Sequence, residues 1–167
     1  DSAMKVARMM EYVNHKLCDS SGIKVPKISM FLFNQLSYSN GYVALAPRYM
    51  GWYILPMQKS YELGGGDWFN TLAIHEYRHV YQYALDNRNF TRFIGYLFGD
   101  MGRVVVSNVF IPAWYYEGDA VCTETAMTEF GRGRSPYFGM PMKAIKLEKK
   151  NYSYEKYYLG SYKNYVP

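Results

Sequence analysis

The sequence predicts an α+β domain. A small, mostly antiparallel sheet near the N-terminus packs on one long helix, and a mainly helical part follows. Three observations predict this. Strand-like runs crowd residues 27–55 and are separated by turn residues. Residues 67–86 run without an interrupting proline or glycine. After Pro112 the pattern is helical again. A chain of 167 residues suits one domain that buries its core without disulfide staples. Within it, 1–87 is expected to hold the sheet and the long helix, and 88–167 the helical part.

Each element has its own signal. "AMKVARMMEYVNHKL" at 3–17 repeats apolar residues at helical spacing, and "DSSG" at 19–22 ends it. "KISMFLF" at 27–33, "YVALA" at 42–46 and "YMGWYIL" at 49–55 read as strands. Asn40-Gly41 is a hairpin-turn signal. "ELGGGDW" at 62–68 matches no phosphate-binding pattern and reads as a hinge, with Gly66 or Asp67 near the N-cap of the long helix. Residues 89–111 are apolar but broken by Gly95, Gly99, Asp100, Gly102 and Arg103. They are too interrupted to span a membrane and read as a helical or mixed insert packed on the core. A second helix is expected over about 113–130, a loop at "GRGRSP" and a short basic helix with a tyrosine cluster beyond 137. No internal repeat is present.

Composition excludes more than it assigns. Hydrophobic residues make up 49% and charged residues 20%, a globular balance. The net charge of +5 comes from scattered residues apart from "KAIKLEKK" at 143–150. With no accompanying motif, nucleic acid is not an expected partner. No apolar run of 18 residues occurs, so no transmembrane segment is expected. Cys18 and Cys122 form no CxxC pair and read as free or structural thiols. Tyrosine is abundant at 19 residues, which suits a peptide- or glycan-holding cleft as well as core packing. A start at Asp1 and an ending in "GSYKNYVP" suggest a piece of a longer chain, with further domains beyond residue 167.

The chemistry concentrates in "HEYRH" at 75–79. Residues four apart on a helix share a face, so His75 and His79 can aim a ring nitrogen at one metal ion. Glu76 beside them can hold and deprotonate a water whose pKa zinc lowers to about 7. The plain alternative is two helix histidines satisfied by hydrogen bonds. Leu72, Ala73, Ile74 and Val80 favour a buried, rigid helix. A third ligand is needed. The metzincin completion requires glycine at 82 and histidine at 85, and Gln82 and Leu85 exclude it. His15 lies far upstream and reads as an ordinary histidine. Arg78 reads as an outward or helix-to-helix salt bridge.

"PAWYYEGDAVCTET" offers three carboxylates. On a helix Glu117 and Glu124 lie about 20° apart, and Asp119 about 200° round. Glu117 and Glu124 are the coherent pair, one as ligand and one behind it. A ligating histidine usually gives its other N–H to a carboxylate or carbonyl. Glu124 suits that role and Asp119 is a weaker alternative, while a plain helix surface charge is the other reading of Glu124.

"HEYRH" followed by "PAWYYEGDAVCTE" resembles the gluzincin branch of the zincin metallopeptidases, especially the compact peptidase-MA-like domains of bacterial envelope proteins. That family shows HExxH, then a helix opening with an aromatic residue, a Glu-Gly pair and a further glutamate, matched by Trp114, Glu117-Gly118 and Glu124. The resemblance covers about residues 40–130. It implies a zincin-like fold, Glu117 as the third zinc ligand, and a sheet edge within "NGYVALAP" lying antiparallel to a bound peptide. It also implies a secreted or envelope location. Residues 80–116 make a longer gap between His79 and Glu117 than the best-known gluzincins have.

The expected function is therefore zinc-dependent peptide-bond hydrolysis, with Glu76 activating water on a His75/His79/Glu117 site and a peptide or protein as substrate. The alternative is a non-catalytic zincin-like binding or assembly module of a larger envelope protein. Hydrolysis also needs an oxyanion donor. The candidates are Tyr115, Tyr116, Tyr152, Tyr154, Tyr157, Tyr158, Tyr162 and Tyr165.

Overall fold

Helix α1 (Ser2–Cys18) buries Val6 and Val13, seven positions apart and so on one face. Strands β1 (Ser29–Phe33), β2 (Asn40–Leu45) and β3 (Arg48–Tyr53) follow, then the long helix α2 (Trp68–Leu85). Helices α3 (Asn89–Phe110), α4 (Ala113–Met127), α5 (Pro136–Leu147) and α6 (Tyr154–Leu159) come next, with a 3₁₀ turn at Arg132–Arg134 between α4 and α5. These come from a computed structural model that describes residues 2–19, 21–35, 37–55 and 67–159. The class is α+β and mostly helical, as expected. Among the described residues no single helix is long and apolar enough to cross a membrane.

The sheet is mixed rather than mostly antiparallel. Its order is β1-β3-β2, with β3 antiparallel to β2 and parallel to β1. Asn40-Gly41 forms no turn; it is the start of β2. The tight turn sits instead at Ala46–Pro47, a cis bond, and joins β2 to β3. From the end of β1 the chain crosses the end of β3 to reach the far edge, so Phe33 and Asn40 both face Tyr53 in the register. The central strand carries the burial: Met50 and Trp52 are wholly enclosed.

Helix α2 is the hub. Asp67 caps its N-terminus, accepting a hydrogen bond from the Phe69 N–H at 3.1 Å. Its residues are buried almost all round, from Thr71 to Tyr77 and again from Val80 to Tyr83. Such a helix belongs at the centre of a fold. The core joins its Leu72, Ala73, Ile74, Tyr77 and Val80 to α1 and to β3. Tyr77 donates from its hydroxyl to Asn14 of α1 at 2.6 Å. On another side α2 packs along α4.

Helix α3 departs from its expected place on the core. It breaks at Gly99, whose φ of 68° favours glycine, and its two buried residues are Arg103 and Ser107. Cys18 and Cys122 are both free thiols. His15 is exposed on α1 beside Asp19.

Met50→Ala removes an enclosed side chain from the middle strand. It is expected to lower unfolding stability by about 2–5 kcal/mol, read as a lower urea midpoint at an unchanged slope.

Candidate metal centre

One turn of α2 separates His75 from His79, and their ring centroids lie 5.0 Å apart. Both rings turn their Nε2 toward Glu117 of α4. His75 Nε2 is 3.2 Å from Glu117 Oε2, and His79 Nε2 is 3.5 Å from Glu117 Oε1. One ligand atom from each residue lies within 4.8 Å of the others. Around a tetrahedral ion with bonds of about 2.0–2.1 Å, neighbouring ligand atoms stand about 3.3–3.5 Å apart. Each histidine Nε2 stands at about that edge length from one Glu117 oxygen, His75 from Oε2 and His79 from Oε1, so a single oxygen holding the ion requires the carboxylate to turn. The structure thus brings together the three residues that the sequence singles out as ligands, in a group that could hold a metal ion.

The second nitrogen of each histidine is held from behind. His75 Nδ1 lies 2.9 Å from Glu124 Oε2. Arg132 Nη2, a donor only, stands at the same Nδ1 at 2.6 Å, so a ring that ligates through Nε2 puts its proton on Nδ1, where Glu124 accepts it and Arg132 must turn wholly to the carboxylate. His79 Nδ1 lies 2.9 Å from Gln82 Oε1, which accepts its proton in the same way. The Gln82 amide then donates to the Tyr116 carbonyl at 2.9 Å and to Asp119 at 2.6 Å. Arg78 clamps Asp119 with two bonds of 2.7 and 3.0 Å, the helix-to-helix salt bridge expected of it. Burial would raise the Asp119 pKa, but the Arg78 and Gln82 hydrogen bonds outweigh it and hold it below its usual value. Asp119 reaches the site through Gln82 and touches neither histidine ring.

Glu124 is completely buried. A buried carboxylate without a partner is very costly, and Arg132 supplies one. Arg132 Nε donates to Oε1 at 2.7 Å, Nη2 to Oε2 at 2.9 Å, and its backbone N–H to Oε1 at 3.2 Å. Burial would raise the Glu124 pKa, but the bonds from Arg132 and His75 hold it down to about 2. Glu124 is thus no surface charge. Gly131 makes the arrangement fit: a Cβ there would stand 2.3 Å from Thr125 Cα in α4.

Arg132 was hidden in the sequence because a loop arginine looks like any surface charge. Its signal would have been the demand of a buried Glu124 for a cation. In the sequence Gln82 argues only against the metzincin pattern, yet its position three residues after His79 puts it on the same helix face.

Glu76 is buried and lines the same cleft. No hydrogen-bond partner of its carboxylate occurs among the described residues. Burial pushes its pKa up to about 7, with Glu117 and Glu124 adding and His75 and Arg132 opposing. Burial also lowers the His79 pKa, which favours the neutral, ligating ring.

The cleft has a volume of about 430 Å³ and runs between β2 and α2. A second cavity of about 210 Å³ adjoins it, sharing Val43, His79 and Glu117 and extending to Val104, Ser107 and Tyr116. Together they form a groove along edge strand β2 with the three ligands at its middle. The tyrosine that lines it among the described residues is Tyr42, apart from Tyr83 and Tyr116 in the second cavity. Tyr116 binds Asp86 through its hydroxyl at 2.7 Å. Tyr154 pairs with Trp114, and Tyr152 packs on Tyr157, away from the cleft. Tyr115 is exposed. The Tyr158 side chain, Tyr162 and Tyr165 lie outside the described residues.

No protein-family model, no curated protein and no solved structure matches this chain. The chemistry of the centre rests on its own geometry.

Two variants probe the support behind the ligands. Gly131→Ala forces the Arg132 loop off α4 and is expected to weaken divalent-metal binding by about tenfold or more without touching a ligand, measured by calorimetric titration. Glu124→Ala strands Arg132 and frees His75. It is expected to cost about 3–5 kcal/mol of unfolding stability, measured by denaturant titration.

Proposed function

We propose that this chain is a zinc-dependent peptide hydrolase of zincin-like fold, with His75, His79 and Glu117 as metal ligands and Glu76 as general base. The observation that carries the reading is the pairing of the two Glu117 oxygens with the two histidine Nε2 atoms, beside a buried Glu76 in the same cleft. The donor set suits zinc: two imidazoles and one carboxylate leave a fourth position open. A metal held there would act as a Lewis acid, making water acidic and polarising a carbonyl.

The rest is done by the chain. Gln82 accepts from His79 Nδ1, and Glu124 with Arg132 holds the His75 ring at its Nδ1. Glu76 takes the proton of the attacking water and returns it to the leaving amine. The outer edge of β2 offers backbone groups to an extended chain, which supports a peptide laid beside the strand. The groove on both sides of the ligands supports a substrate with residues on either side of the cut bond. A secreted or envelope setting belongs to this proposal through the resemblance of the two motifs.

Glu76→Gln is expected to leave metal content unchanged and to lower peptide hydrolysis by about 10²–10⁴-fold. Metal analysis beside digestion of a broad peptide library measures both. Hydrolysis that survives the change sinks the mechanism, and zinc-loaded protein that cuts nothing sinks the assignment. His75→Ala is expected to abolish both metal retention and hydrolysis.

A further inference from the structure

Helix α3 exposes apolar side chains on both segments that meet at its Gly99 break. The residues it buries, Arg103 and Ser107, are polar. Arg103 lies over the Tyr83 ring at 3.9 Å and donates to the Tyr83 carbonyl at 2.8 Å. Meanwhile Phe90, Phe93, Leu97, Phe98, Met101 and Val105 are each more than half exposed. A surface helix of a globular protein turns its apolar stripe to the core, and an apolar patch of this kind marks an interaction surface.

We propose that α3 docks the protein on a bilayer surface bearing anionic headgroups. Three features select that partner. From Arg88 to Gly99 the sequence carries two arginines and no carboxylate, and of the two flanking acids Asp100 is paired with Arg48 at 2.9 Å. The apolar side chains before the break, Phe93, Leu97, Phe90 and Phe98, spread over about 140° of the helix. A seam between two helices is narrower, whereas a helix lying in a membrane interface shows a wide apolar arc. Tyr96, 89% exposed, stands at the side of that arc, where aromatic rings with polar tips favour the headgroup level. Beyond the Gly99 break, Val104, Ser107 and Asn108 line the second cavity. The inference is independent of catalysis at the metal centre.

Flotation with phosphatidylcholine vesicles, with and without phosphatidylglycerol, tests it on the full chain. The protein is expected to rise with the phosphatidylglycerol vesicles. A Phe93→Asp/Leu97→Asp variant is expected to partition at least about tenfold more weakly, with circular dichroism and metal content unchanged. An Arg88→Glu/Arg92→Glu variant is expected to lose the preference for the anionic vesicles. Failure to float with either vesicle overturns the proposal, as does equal flotation with both. Flotation of the aspartate variant like the parent overturns it too. A sedimentation mass that doubles without lipid and halves in that variant, with no flotation, assigns the face to a second copy instead.

Discussion

A carboxylate sealed from water organises this molecule. Glu124 is completely enclosed, so its charge must be met inside the protein or the fold fails. Meeting it takes an imidazole from α2 and a guanidinium from the loop after α4. The same three groups therefore dock the two helices, hold the loop down and turn His75 toward Glu117. Stability and site geometry are one requirement here, because the carboxylate that orients the ring is the same group whose burial the ring and Arg132 make tolerable.

A second polar relay works beside the first. Arg78, Asp119 and Gln82 connect α4 to His79. The two relays differ in exposure. Glu124 is sealed, whereas Asp119 keeps about a quarter to a third of its side chain in water. Solvent screening makes the outer relay the weaker of the two. Helix α4 thus turns a carboxylate-rich side to α2, and its sequence shows no apolar stripe to match.

Much of this was legible in advance. The unbroken run from Asp67 to Asp86 and the HExxH spacing describe local geometry, and local geometry is written locally. Glu117 and Glu124 fell on one face because seven residues make nearly two turns. What escaped were pairings between distant segments. The parallel partnership of β1 with β3 depends on where the chain crosses, and the Asn40-Gly41 signal pointed to a turn that the strand order did not use. Arg132 became visible only with the carboxylate that needs it. Apolar residues in α3 read as core because sequence records hydrophobicity and not the direction in which it faces.

All three candidate ligand residues sit on α2 and α4, and the groups that orient them come from those helices and one loop. The sheet supplies none of them. Strand β2 forms the facing bank of the groove. Inheritance can therefore rewrite that bank residue by residue, changing what the groove accepts, while the His75, His79 and Glu117 cluster passes on untouched. Selectivity and metal affinity can drift along separate lineages of mutation within one small domain.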